Sequence, residues 1–327
     1  MTKKTRYFMA GSAAVMAAGL ATGLVAYYAG GFQAVSASAV STELRYVPAD
    51  ATMVAYADVR AIMDSDLRAR LKQAMPMHEK GQQEFQAETG IDIERDIDYV
   101  VAALAPGLNQ GAPLVVARGR FDTVRLEALA LQHGGTMEEY KGKRMVVGTK
   151  GIELDPGPDH MKSIVLAFLE PGLVAIGDLT AVKNAIDAQL TAHSITSNNE
   201  MMELVTEMGA YNNAWAVGRF DVIASQAKLP NEVMSRMPPV KWFAAAGHIN
   251  GGISGTLRAE ATDEKSGEEL RAVVNGFLAA GRLAAQHDPT AGSLVNSLQL
   301  SGSGKSVALS FTVPGELLSL IPKAAVQ

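Results

Sequence analysis

The chain has 327 residues, 48% of them hydrophobic and 19% charged, with a net charge of −5. The spread of charge disfavours disorder and repeated membrane spans. No Lys/Arg cluster interleaved with aromatics points to nucleic acid, and the absence of cysteine removes disulfides, thiolate metal sites and Cys nucleophiles together.

Lys3, Lys4 and Arg6 precede an uncharged run from Tyr7 to Gly31. A secretory apolar region needs roughly 7–15 residues and a spanning helix about 20, so the length favours an anchor. Tyr27 and Tyr28 stand where aromatic rings would meet the membrane interface, and the early cations should stay cytoplasmic. The alternative is a signal peptide, because Ala37-Ser38-Ala39 is an acceptable small-residue cleavage site. Either device places the body outside the cytoplasm, so the expected location is the bacterial inner membrane, single-pass, or the periplasm after cleavage. Gly19 and Gly23 form a small-xxx-small pair that could bring two such helices together.

Residues 1–40 thus read as anchor or signal peptide with linker, 41–195 as a first α+β half, and 196–327 as a second α+β half, separate from the first or forming one continuous domain with it. A short apolar run followed by an Asp and a helical pattern recurs at Asp58, Asp122, Asp178 and Asp221. Gly-Arg-Phe-Asp appears twice, as Gly119 to Asp122 and Gly218 to Asp221, which suggests two weakly related halves. Each Asp is expected to cap a helix N-terminus. Short turns at Lys141-Gly142-Lys143, Glu170-Pro171-Gly172 and Asn250-Gly251-Gly252 predict antiparallel hairpins. One helix is expected over residues 61–83, interrupted near Pro76, and another from a capping box at Ser266 and Glu269 to about His287. The fold class is α+β with a largely antiparallel sheet, packed helices and an N-terminal hydrophobic helix.

The motifs that mimic chemistry fail on their own terms. Gly302-Ser303-Gly304-Lys305-Ser306 ends like a phosphate loop, yet Gln299 stands where its first Gly belongs and a strand pattern follows. Asp92, Glu94, Asp96 and Asp98 resemble a calcium loop, but Ile97 replaces its Gly and Ala103 its bidentate Glu, leaving a solvated acidic face. Asp155, Asp159 and His160 lie in a Pro/Gly turn. His78, His133, His193, His248 and His287 are dispersed, so no catalytic residue, metal or cofactor is assigned. Arg120 and Arg219, at equivalent points of the two Gly-Arg-Phe-Asp copies, are the candidate binding residues for an anionic group; the competing reading pairs each with a neighbouring Asp or a helix end. Trp215 and Trp242 are expected in the core.

Tyr46-Val47-Pro48-Ala49-Asp50 before the strand Thr52 to Ala57, Thr89 to Asp96 before Tyr99-Val100-Val101, and the closing strand, helix and hairpin from Gly255 to Pro314 resemble exported bacterial proteins of the DUF3352 type, a domain of unknown function. That resemblance implies a tethered envelope protein with an α+β body and assigns no activity. The expected function is non-enzymatic: binding to another envelope protein or to itself, or service as an envelope structural module. The alternatives are a carrier of an apolar small molecule lined by Phe277, Leu278, Leu283, Met201 and Met202, and an exported hydrolase.

Overall fold

The computed structural model describes residues 42–69, 86–105, 113–148, 164–226, 237–286 and 289–315. The apolar run 7–31, the small-residue pair Gly19 and Gly23, the turn holding Asp155, Asp159 and His160, and His78 and His287 lie outside the described residues.

In chain order, β1 (Met53–Asp58) leads into α1 (Val59–Met63), and one helical turn, α2 (Ile93–Asp96), leads into β2 (Ile97–Leu104). There follow β3 (Leu114–Gly119), α3 (Thr123–Gln132), β4 (Thr136–Tyr140), β5 (Lys143–Gly148), β6 (Ile164–Glu170), β7 (Leu173–Gly177) and α4 (Leu179–Leu190). The remainder is α5 (Asn199–Gly209), β8 (Ala214–Arg219), α6 (Phe220–Gln226), β9 (Val240–Ile249), β10 (Gly252–Ala261), α7 (Glu264–Ala284), α8 (Pro289–Ser297), β11 (Gln299–Ser301) and β12 (Ser306–Pro314).

The twelve strands of the described residues join one sheet in the order β11-β12-β10-β9-β8-β1-β2-β3-β7-β6-β5-β4. Every neighbouring pair is antiparallel, as the short turns require. Strands from the first half fill one side and those from the second half the other, meeting at the β1–β8 seam. The two sides are related: in each, a third strand passes into a helix and the last strand returns beside it, β7 on β3 and β12 on β10.

Local chemistry sets the element ends. Asp58, Asp122 and Asp178 accept from the N–H groups of Ala61, Arg125 and Ala181 at 3.2, 3.0 and 2.7 Å. Lys141 and Gly142 both adopt positive φ, +50° and +79°, the backbone twist that a two-residue hairpin needs. The Gly302 to Lys305 stretch is likewise a turn between β11 and β12, with Gly302 and Gly304 at positive φ.

Three boundaries differ from expectation. Asp221 does not cap: α6 already begins at Phe220, and the Asp221 carboxylate is held by Arg219 at 2.8 and 3.1 Å. Helix α1 stops at Met63, and Ser65, whose hydroxyl accepts from Arg68 N–H, opens a separate helical turn over 66–69; the rest of the expected helix, 70–83 with Pro76, lies outside the described residues. Helix α7 starts two residues early, since Asp263 takes the Ser266 N–H at 2.7 Å and leaves Ser266 inside the first turn.

On one face, alternate residues such as Val54, Tyr56, Val101, Val116, Ala175, Trp215 and Val217 form the main core. Val182 and Ile186 of α4 and Met201, Leu204 and Met208 of α5 close over them at helical spacing. Each large side chain fully buried there contributes about 1.5–3 kcal/mol. The opposite face carries an unbroken apolar row, one residue per strand. From edge to edge it runs Met137, Val146, Leu166, Ile176, Val115, Ala102, Ala55, Ala216, Ala245, Leu257, Leu309 and Leu300.

Candidate functional site

The two arginines singled out in the sequence are not brought together. Strands β3 and β8 stand two strands apart and run in opposite directions, so the residues following them emerge at opposite ends of the sheet. Arg120 lies against Asp96 at 3.1 and 3.2 Å and donates to the Arg95 carbonyl. Arg219 forms a fork with Asp221, whose carboxyl it holds below the usual carboxylate range. Both guanidiniums are therefore engaged within the chain, and an incoming anion would have to displace a carboxylate.

The acidic run 92–98 is built rather than merely solvated. Asp92 caps the turn of α2 by accepting from Glu94 N–H at 3.0 Å. Arg68 pairs with Glu94 at 2.6 Å, Arg60 with Asp98, and Arg120 with Asp96. These contacts neutralise what would otherwise be a cation-attracting ridge. Among the described residues, no group of three or more His, Asp or Glu side chains could hold a metal ion.

A second polar cluster went unseen in the sequence. Residues 43–48 form a strap beneath α4, with Leu44, Tyr46 and Val47 buried and the Val47 carbonyl accepting from Ile195 N–H at 2.8 Å. At its start Glu43 is only 1% exposed. Arg118 from β3 donates to Glu43 Oε1 through Nε at 3.0 Å and again through Nη2. Alongside, Glu170 accepts from Tyr46 Oη at 2.8 Å and from Arg45 at 2.5 Å.

Burial governs the electrostatics here. It pushes Tyr46 up to about 12, with Glu170 adding to the effect. It pushes Tyr99 up to about 12 as well, with the Glu43 charge next in size, and drives Tyr56 higher still. For Arg118, burial pulls downward, but bonding to Glu43 outweighs it and the guanidinium stays charged. Glu43 Oε2 and Tyr56 Oη remain buried without a hydrogen-bond partner among the described residues. Nothing in spacing or composition links Glu43 to Arg118, 75 positions away.

The remaining distinctive feature is exposed apolar surface. On interior strand β7, flanked on both sides, Ile176 is 37% exposed, and its row neighbours Leu166, Val115 and Ala102 are half-buried. On α7, Phe277 and Leu283 are 63% and 66% exposed, whereas Leu278 faces inward. Met201 belongs to the core and Met202 is half-buried against it, so the residues named for a carrier cavity split between interior and surface. Trp215 and Trp242 are buried, as expected. Of the histidines, His133 pairs with Glu88 at 3.0 Å.

No family model matches the chain, and no curated protein matches it. Among solved structures, TP0453 in its crystal form III aligns over 86% of this chain and 97% of its own, with a TM-score of 0.51 and 10% identity. Its crystal form I aligns over 86% and 96%, with a TM-score of 0.47 and the same identity. At that identity the likeness concerns the fold alone.

Proposed function

We propose that the chain is a membrane-tethered, extracytoplasmic module that acts by binding another envelope protein, without catalysis. The observation that carries this reading lies in the apolar row: Ile176 on interior strand β7 stays 37% exposed, beside Val115 and Leu166, which pack against a second buried cluster on that face around Val59, Val100 and Val174. A solvated face of an antiparallel sheet ordinarily alternates to polar residues, and a contiguous exposed apolar patch marks an interface.

The tether supports the same reading. Between Gly31, where the apolar run ends, and buried Glu43 lie only residues 32–42. At about 3.3–3.6 Å per extended residue, the body stays within about 40 Å of the bilayer, which raises its effective concentration for partners at that surface. Among the described residues no helix is long and apolar enough to span a membrane. The proposed span is the uncharged run 7–31. The resemblance to exported proteins of the DUF3352 type is a further proposal in the same direction.

A photo-crosslinking amino acid placed at Ile176 in cells is expected to trap one protein reproducibly. The adduct should disappear when Val115→Glu puts a charge into the same row. The same probe at exposed Gln299 should trap no such partner. Equal labelling from both positions, or no adduct from Ile176, would count against this face as the binding surface.

A further inference from the structure

At the tip of the β9–β10 hairpin, beside the end of β12, lies a cleft of about 360 Å³, at the lower end of the range for small-molecule sites. His248, Asn250, Ser254 and Thr312 supply its polar lining, and Ile253 and Pro314 part of its apolar lining. His248, Ser254 and Thr312 occupy one cross-strand row, so their side chains stand on one face about 5 Å apart. Among the described residues, none of these four side chains has a hydrogen-bond partner. At Gly251 a Cβ would meet nothing within 4 Å, so the mouth is open there.

At the same end of the sheet as this cleft stands an unusual aromatic residue. Tyr211 is 97% exposed and holds φ at +64°, a left-handed conformation uncommon for a bulky side chain. Two residues on, Asn213 clamps Ile249 through both ends of its amide, at 2.9 and 2.8 Å, and Ile249 separates His248 from Asn250. The turn bearing Tyr211 is thereby fixed to the same end of the sheet as the cleft.

The chemistry of the lining narrows the ligand. No lysine, arginine or carboxylate lines the cleft, so neither a strong anion nor a cation would find a counter-charge. A wholly apolar ligand would strand four polar groups. Hydroxyls and an amide that both donate and accept, next to aliphatic patches and an outward aromatic ring, match a ring that is hydroxylated at its edge and apolar on its faces. We propose that this cleft binds a neutral saccharide, with Asn250, Ser254, Thr312 and His248 meeting its hydroxyls and Tyr211 offering a face for stacking.

Saturation-transfer NMR on the full chain in detergent micelles, with chitotriose, maltotriose and cellotriose at millimolar concentration, tests this. Transfer to at least one trisaccharide is expected. Asn250→Ala combined with Thr312→Ala should weaken it about tenfold, the loss of one or two hydrogen bonds. Tyr211→Asn, which keeps a residue tolerant of positive φ, should weaken it while leaving the thermal midpoint unchanged. Absence of transfer to all three sugars would overturn the proposal. So would transfer indifferent to these substitutions, or displacement of the sugar by inorganic phosphate.

Discussion

Replacing Arg118 by methionine is expected to lower the free energy of unfolding by about 3–5 kcal/mol, because it leaves the Glu43 carboxylate buried without its counter-ion. Urea denaturation with a two-state fit provides the measurement. Converting the partner too, as Glu43→Leu with Arg118→Met, should recover most of the loss, since a buried ion pair contributes little net against an apolar pair of similar volume. A small effect of the single change, below about 1 kcal/mol, would mean that the strap is a surface feature and that Glu43 escapes to water. If the strap holds, the proposed tether would enter the body at one fixed point.

Trp215→Ala should cost about 3–5 kcal/mol, the range for truncating a large buried aromatic. Trp215 is 1% exposed and lies opposite Tyr56 across the β1–β8 seam, with ring centroids 5.7 Å apart and planes 22° from parallel. Its loss leaves a cavity where the two strand groups meet. Val124→Ala, on the exposed side of α3, should stay within about 0.5 kcal/mol. If the two substitutions cost the same, the seam is not a packed core.

What was legible in the sequence was what neighbouring residues decide among themselves. The Lys141-Gly142 turn fixes its hairpin because the twist is set within the loop, where both residues take positive φ. Three of the four Asp caps followed from the strand-to-helix pattern. The fourth failed because β8 continues through Arg219, whose N–H bonds to the Thr52 carbonyl at 2.8 Å, and the helix starts at once. In the first copy, β3 ends at Gly119 and Arg120 N–H turns to the Asp96 carbonyl instead, leaving Asp122 free to cap. Identical tetrapeptides thus take different roles through contacts 24 and 167 positions distant.

Strand order and register were illegible for the same reason. The apolar row cannot be read from any one strand, since each contributes one residue and a shift of one position would send it to the other face. The buried Glu43–Arg118 pair joins a residue beside the linker to the third strand, and only the assembled sheet brings them together.

The proposed tethered, extracytoplasmic placement of the body is tested most directly by a single introduced thiol. The native chain has no cysteine, so Ser301→Cys, at an exposed position on edge strand β11, gives a unique reporter. In intact spheroplasts, a membrane-impermeant maleimide is expected to label it, with the labelled chain sedimenting with membranes. Labelling that requires lysis of the cells would place the body in the cytoplasm and contradict the account.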